Sequence, residues 1–87
     1  MDTKAYVYIL ECKDHTYYTG YTTDVENRLK MHNLGRGAKY TRARRPCRLV
    51  YSKACDSKSS AMKLEYKIKQ LSRKEKVDLI LGVLKEL

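Results

Sequence analysis

The amino-terminal part of the chain has a pattern of apolar and polar positions that predicts a hairpin of two strands. Residues 5–12 are apolar on both faces of an extended chain until Glu11 interrupts the run, which is typical of a strand at the centre of a sheet. Residues 16–22 are rich in the strand formers Thr and Tyr, and a turn candidate at residues 13–15 precedes them. Gly20 inside the second strand indicates a bulge or a close approach of another group to the backbone.

A helix and a polar segment follow the predicted hairpin. Thr23 and Glu26 have the spacing of a capping box, which predicts a helix that ends at about Leu34. Residues 36–48 contain a glycine and the only proline of the chain, so this segment is predicted to be a loop rather than a regular element.

The carboxy-terminal half predicts one more strand and two more helices. The strand covers residues 49–55, and the second helix covers about residues 58–71. Ser72 and Glu75 form another capping box, which opens a third helix. The predicted order is β-β-α-β-α-α, in which helices cover one small sheet of a layered α+β domain. The apolar stripe predicted for the third helix consists of Val77, Ile80, Leu81 and Leu84.

Length and composition limit the class of protein. The chain has 87 residues, of which 43% are hydrophobic, so we expect a single globular domain over residues 1–87. No apolar run approaches the roughly 20 residues that a membrane span needs, and residues 1–4 lack the basic start and apolar stretch of a secretory signal. The cysteines are odd in number and include no Cys-x-x-Cys pair, which indicates reduced thiols in a cytoplasmic protein. They are Cys12, Cys47 and Cys55.

The charge balance points to a polyanionic partner. Lys and Arg outnumber Asp and Glu by 19 to 10, for a formal net charge of +9, which on a small surface favours nucleic acid. A solubilising surface and acidic lipid are the alternatives, but the basic residues do not form one amphipathic helix with aromatic anchors, which counts against lipid. Residues 36–48, called here the basic segment, contain no acid. The nucleic-acid contacts expected in it are Arg36, Lys39, Tyr40, Arg42, Arg44, Arg45 and Arg48.

One carboxylate falls on an apolar helix face. On the predicted second helix, Glu65 projects inside the apolar arc, where Ala61 and Met62 flank it. An ionised carboxylate on a packed face is costly unless it is paired or bound to a metal. Glu65 is therefore either half of a structural ion pair, with Arg28 or a lysine, or a metal-binding or catalytic carboxylate.

Tyrosine takes the place of the other aromatic residues throughout the chain. There are eight Tyr residues, no Phe and no Trp, and core aromatics whose hydroxyls reach solvent are the simplest explanation. The alternative is that some hydroxyls take part in chemistry. Five polar residues and one glycine are expected on one side of the sheet. As a set they suit phosphodiester hydrolysis, which needs a cation ligand, positive charge at the phosphate and a group that transfers a proton. They are Tyr8, Tyr18, Gly20, Arg28, His32 and Glu65.

The same positions, in the same order, resemble the GIY-YIG nuclease domain. The resemblance covers nearly the whole chain and is strongest to a small, single-domain bacterial group that has no appended DNA-binding domain. Tyr6 replaces the family's glycine, Val7 and Thr19 replace its isoleucines, and Tyr21 stands where some members place a lysine. The positions that carry the resemblance are Tyr6-Val7-Tyr8, Tyr18-Thr19-Gly20, Arg28, His32, Asn33 and Glu65.

The resemblance implies a Mg²⁺- or Mn²⁺-dependent endonuclease with a three-stranded antiparallel sheet flanked by helices. Glu65 would be the sole protein ligand of the metal. Tyr8 would be the general base or would position the attacking water, and Tyr18 would form hydrogen bonds in the same site. Arg28 would bind the scissile phosphate. His32 would share the proton work, because an unperturbed pKa near ~6.5 suits this task better than a phenol near ~10.

The resemblance also implies how nucleic acid would be bound. Gly20 would keep its strand bare where the substrate backbone approaches, and the basic segment would bind phosphates without reading sequence. DNA, including branched or damaged DNA, is the expected substrate. The alternatives are a module that binds DNA or RNA without cleaving it, and a nuclease subunit whose protein partner supplies specificity. The chain itself is expected to be a monomer.

Overall fold

Three strands form one antiparallel sheet, and the first strand of the chain lies at its centre. The structure is a computed structural model, and it describes residues 4–85 and 87. β1 (Ala5–Glu11) pairs on one side with β2 (Tyr17–Thr22) and on the other with β3 (Arg48–Cys55), so the strand order is β2-β1-β3. The predicted hairpin and the central position of β1 are confirmed.

The described residues contain four helices, one more than the sequence pattern predicts. The helices are α1 (Val25–Asn33), α2 (Lys39–Arg42), α3 (Lys58–Lys69) and α4 (Arg73–Ile80). The unexpected helix is α2, a single turn within the basic segment, for which a loop is predicted. The turn closes because the N–H groups of Thr41 and Arg42 both donate to the Ala38 carbonyl, at 3.1 and 3.2 Å.

The start of α1 differs from the prediction by one residue. Asp24 caps this helix, since its side chain accepts from the Asn27 N–H at 3.1 Å, and the predicted cap at Thr23 is wrong. The Thr22 hydroxyl accepts from the Asp24 N–H at 3.2 Å. This contact holds the backbone extended through Asp24, so the helix begins at the next residue.

α4 begins as predicted but ends earlier. The capping box of Ser72 and Glu75 is present. The predicted apolar stripe is only partly realised because the helix has eight residues and is followed by Gly82, whose φ is +80°. Leu81 is therefore exposed, and Leu79 is the residue of α4 that is buried.

The two faces of β1 pack against different partners. One face, called here the aliphatic face, contacts α3 and α4, and the other, called the tyrosine face, contacts α1 and the residue that precedes β3. The aliphatic face consists of Ala5, Val7 and Ile9, packed with Ala61, Ile68 and Leu79. The tyrosine face consists of Tyr8, Leu10 and Cys12, packed with Cys47, Tyr18 and Leu29.

Two expectations about membranes and export have different outcomes. Among the described residues, each helix is too short or too polar to cross a membrane. The expectation about a secretory signal concerns residues 1–4, and Met1, Asp2 and Thr3 lie outside the described residues.

Candidate active site

A cavity of about 500 Å³ lies beside the edge strand β2 and collects most of the residues singled out from the sequence. Its wall takes side chains from β1, β2, α1 and α3, and from the turn between β2 and α1. Of the six positions expected to act together, the cavity is lined by Tyr8, Tyr18, Gly20, Arg28 and Glu65.

The sixth position, His32, lies behind the cavity wall. Its ring is fully buried, with Nε2 2.9 Å from the Tyr8 hydroxyl oxygen and Nδ1 2.8 Å from Thr41 Oγ1. Burial, and then the positive charge of Arg28, lowers the pKa of His32 to about 4. His32 is therefore neutral near pH 7, and its hydrogen bond to the cavity wall is the one to Tyr8. The ordinary histidine pKa on which its predicted proton role is based does not apply, because the ring is buried.

The two phenols of the cavity are protonated at neutral pH. Burial raises the pKa of Tyr8 and of Tyr18, the nearby Arg28 opposes the rise, and the negative charge of Glu65 adds to it. The Tyr8 and Tyr18 ring centres are 6.4 Å apart, and the Tyr18 ring centre is 5.2 Å from that of His32. Only Tyr8 of this pair has a hydrogen bond to His32 among the described residues.

Gly20 is bare because Tyr8 occupies the space that a side chain would need. The two residues are direct partners across β1 and β2. A Cβ atom at Gly20 would lie 2.6 Å from the Tyr8 hydroxyl oxygen and 2.8 Å from its Cζ. The close approach indicated by this glycine is thus made by a side chain of the protein itself. Contact between Gly20 and nucleic acid stays a prediction.

Glu65 is the carboxylate of the cavity. Its side chain is 20% exposed, and the one ion pair that it forms with a described residue is a long contact of 3.7 Å to Lys69, not a pair with Arg28. Met62, expected beside it on the packed face, is instead 48% exposed because it lies on the outer side of α3. Of the two residues expected to flank Glu65, the one that does pack into the core is Ala61.

The donor set of the cavity fits a hard divalent cation. Mg²⁺ prefers oxygen ligands, usually binds through one or two carboxylates and keeps several waters. Glu65 offers one half-buried carboxylate to the cavity. Among the described residues, no group of three or more His, Cys, Asp or Glu side chains could form a metal site. A cation in this cavity would therefore have Glu65 as its protein ligand.

The basic segment contains both anchored and exposed side chains. Arg44 donates to Asp14 at 3.1 Å, and its guanidinium lies 4.0 Å from the centre of the Tyr40 ring. Arg48 donates to Glu11 at 2.7 Å. These contacts hold the segment against the end of β1 and the turn that follows it. Its basic residues without an ion pair to a described residue are Arg36, Lys39, Arg42 and Arg45.

Three residues around the cavity were not singled out from the sequence. Thr41 is buried against His32, although the charged residues around it in the basic segment gave no reason to expect burial. A Cβ atom at Gly37 would overlap the His32 ring, although this glycine looked like an ordinary loop residue. Lys58 lines the cavity at the start of α3. It lies seven residues before Glu65, and this helical spacing places both on one face and was a usable signal.

A model of a known protein family matches most of the chain. A family model described as the GIY-YIG catalytic domain matches residues 4–78. The chain belongs to the GIY-YIG family. The GIY-YIG match begins just before β1 and ends within α4, so it includes every strand and the whole cavity wall.

Similar GIY-YIG chains are named as UPF0213 proteins. One from Staphylococcus haemolyticus is 57% identical over 77 residues, which cover 88% of this chain and 94% of that protein. Another from Halobacterium salinarum is 61% identical over 71 residues, which cover 82% of this chain and 92% of that protein. These names state no activity.

Two solution NMR structures share the GIY-YIG fold seen here. The UPF0213 protein from Bacillus halodurans has a TM-score of 0.58 at 58% identity, and the match covers 88% of this chain and 82% of that one. A protein from E. faecalis has a TM-score of 0.60 at 38% identity, with 100% and 97% covered. The predicted α+β fold with a three-stranded antiparallel sheet is confirmed.

Proposed function

We propose that the protein is a divalent-metal-dependent endonuclease that hydrolyses phosphodiester bonds in DNA. The observation that carries this proposal is the grouping of Tyr8, Arg28 and Glu65 around one cavity. A carboxylate, a guanidinium and a phenol are the groups needed to hold a cation, to neutralise a phosphate and to transfer a proton. Membership of a family whose matched domain is described as catalytic supports the same conclusion.

Glu65 would hold Mg²⁺ or Mn²⁺ through its carboxylate oxygens. When bound, the cation would supply Lewis-acid activation and positive charge at the phosphate. The contact of Glu65 to Lys69, at 3.7 Å, is longer than a charge-assisted hydrogen bond. The carboxylate therefore keeps much of the unpaired negative charge that a cation site requires.

Tyr8 and His32 would carry the proton of the attacking water. Thr41 Oγ1 donates to the Ala38 carbonyl at 2.9 Å, so we assign His32 Nδ1 as the donor in its 2.8 Å contact with Thr41. His32 Nε2 is then left to accept from the Tyr8 hydroxyl at 2.9 Å. The Ala38 N–H lies 3.4 Å from Nδ1, too far to compete with these shorter bonds.

The pKa shifts limit how a proton can move through this relay. Because the pKa of Tyr8 is raised, its phenolate is scarce at neutral pH. Because the pKa of His32 is lowered to about 4, its Nε2 is unprotonated near pH 7 but is a weak base. The bound cation, which would make the attacking water more acidic, would have to offset this weakness. Tyr8 would pass its proton to His32 as it takes one from water, so no phenolate has to form first.

Arg28 and Lys58 would bind the scissile phosphate, since both line the cavity. The guanidinium of Arg28 can donate two parallel hydrogen bonds to one phosphate. Neighbouring phosphates would be bound by the exposed side chains of the basic segment, with Arg36, Lys39 and Arg42 as the main candidates. Binding of this kind is insensitive to sequence and weakens steeply with salt.

Nicking of supercoiled plasmid and cutting of a branched oligonucleotide test the proposal. Wild-type protein and Glu65→Gln are incubated with Mg²⁺, Mn²⁺ or EDTA, and DNA binding is measured in parallel by fluorescence anisotropy. We expect metal-dependent cutting that falls about 10²-fold or more in Glu65→Gln, with binding retained. Glu26→Gln is the matched control, because it removes the same charge from an exposed position on α1, and it should cut like wild type.

Two outcomes would contradict the proposal. Binding of both DNA substrates without cutting of either, in either metal, would exclude a nuclease that acts alone and would favour a non-cleaving module. Equal cutting by Glu65→Gln and wild type would remove Glu65 from the reaction.

A further inference from the structure

The outer face of α3 exposes an aromatic and an apolar side chain side by side. Tyr66 is 66% exposed and Met62 is 48% exposed. They lie four residues apart on α3, so they are neighbours on one helix face. Their side chains border an open, shallow space of about 760 Å³ on the solvent side of the helix, called here the α3 groove. It is lined by Lys58, Ser59, Met62, Lys63, Tyr66 and Lys67.

Lysines border both edges of the α3 groove. At helical spacing, Tyr66 lies at the middle of the outer face, with Lys58 on the side nearer Glu65 and Lys63 and Lys67 on the opposite side. Lys67 Nζ donates to the Leu87 carbonyl in a long contact of 3.4 Å, and no ion pair of Lys58 or Lys63 occurs among the described residues. The groove thus combines an exposed aromatic ring with positive charge.

The α3 groove is continuous with the candidate active site. Lys58 lines both the groove and the cavity that contains Glu65. The only acid of α3 is Glu65, which lies on the cavity side of the helix and not in the groove. A polyanion in the cavity can therefore continue past Lys58 over Tyr66 without meeting a carboxylate of this helix.

We propose that the α3 groove binds an unpaired strand of DNA that leaves the active site, with one base stacked on Tyr66 and its phosphates near Lys63 and Lys67. Stacking on an exposed aromatic ring beside a basic track is the common mode for single strands. Bases inside a duplex are already stacked on each other, so the groove selects DNA with a single-stranded tail or branch. This inference rests on the proposed nuclease function for the direction of the strand.

The charge of the α3 groove favours DNA over a protein partner. Protein interfaces are depleted in lysine at their cores, whereas three of the six residues that line this groove are lysines. Binding of phosphates alone does not require an exposed aromatic ring, whereas stacking of a base does.

Binding measured in EDTA tests the groove without cleavage. A labelled single-stranded oligonucleotide that contains 2-aminopurine and a blunt duplex of the same length are each titrated with wild type, Tyr66→Ala and Tyr66→Phe. We expect Tyr66→Ala to bind the single strand roughly 10- to 100-fold more weakly and to lose the quenching of 2-aminopurine fluorescence. Tyr66→Phe keeps the ring and should bind like wild type, and the duplex should bind all three proteins equally.

The lysines are tested by the salt dependence of the same binding. Lys63→Gln combined with Lys67→Gln should lower the slope of log affinity against log salt by about 1.4 for the single strand. Lys13→Gln combined with Lys53→Gln removes the same charge from two exposed positions outside the groove, and it should leave the slope unchanged.

The possible outcomes separate this inference from the proposed nuclease function. If Tyr66→Ala binds the single strand as tightly as wild type, the inference is overturned, whatever the proteins cut. If Tyr66→Ala loses single-strand binding while wild type nicks no plasmid in either metal, the groove is supported and the nuclease is not. If Tyr66→Ala weakens single-strand and duplex binding equally, selection for an unpaired strand is overturned.

Discussion

The aliphatic face of β1 is stabilised by non-directional apolar packing, whereas the tyrosine face also forms hydrogen bonds with specific partners. Ala5, Val7 and Ile9 are fully buried against carbon atoms of α3 and α4. On the opposite face, Tyr8 is also buried, yet its hydroxyl and the ring of His32 are joined at 2.9 Å. One strand therefore has an ordinary core on one side and a polar network on the other.

The two faces of β1 differ because they lie against different surroundings. The aliphatic face contacts helices that cover it, and such a space tolerates apolar side chains of similar volume. The tyrosine face leads to a cavity at the edge strand β2, where Tyr8 meets both the buried His32 and the open site. A change on the first face should alter stability, and a change on the second should alter chemistry.

Removal of the Tyr8 hydroxyl has the largest expected effect. Tyr8→Phe keeps the ring on the tyrosine face, but it breaks the contact to His32, so DNA cutting should fall by about 10²- to 10⁴-fold. Urea unfolding should also show a loss of about 1–3 kcal/mol, because buried Nε2 of His32 loses its partner. Tyr51→Phe removes a hydroxyl from the opposite face and should cut like wild type. Full activity in Tyr8→Phe would rule out the relay.

Truncation on the aliphatic face should act on stability alone. Ile9→Ala removes a fully buried side chain, and we expect the free energy of unfolding to drop by about 2–5 kcal/mol. Cutting at a temperature where the variant is folded should match wild type. If the folded variant cut much more slowly, the two faces would not be independent.

A methyl group at Gly20 should affect both properties. Gly20→Ala places Cβ within 2.6 Å of the Tyr8 hydroxyl oxygen, which should cost about 1–3 kcal/mol and displace the phenol, so cutting falls as well. The same change in a Tyr8→Phe background should cost less stability, because the nearest atom is gone. Additive losses of stability in the double variant would show that Tyr8 does not limit this position.

The pH dependence of stability reports the burial of neutral His32. Its pKa is lowered to about 4, so the unfolded chain binds a proton at higher pH than the folded one. The contribution of neutral His32 to the free energy of unfolding is complete above about pH 6.5 and is lost as the pH falls towards 4. Urea unfolding across this window should show a shallower loss of stability in His32→Gln than in wild type.

His15 provides the control for this pH experiment. Its side chain is 80% exposed, and its contact to Glu11 is long, at 3.6 Å, so His15→Gln should change the curve much less than His32→Gln does. A His32→Gln curve parallel to wild type would mean that His32 accepts a proton as easily in the folded protein as in the unfolded chain.

Local patterns were sufficient to predict the strands, three of the helices and five of the residues that line the cavity. Glu65 stands out because a carboxylate among apolar positions at helical spacing is visible in the sequence, and Tyr8, Tyr18, Gly20 and Arg28 meet it as expected. Whether these residues catalyse a reaction stays a prediction. The cap at Asp24 and the turn α2 were missed, because each depends on a hydrogen bond that one sequence pattern does not distinguish from its competitors.

By itself, the amino-acid sequence determined the types of all elements except α2, the central place of β1, the family and the positive charge, since each depends on neighbours along the chain or on composition. Only the tertiary structure decided that His32 is buried behind Tyr8 and that the Tyr8 phenol occupies the space next to Gly20. It also decided that Met62 and Tyr66 face outwards. The physical reason is that burial and proton affinity are set by groups distant in sequence. Thr41 and Tyr8 are 33 residues apart, yet they contact the two nitrogens of one imidazole.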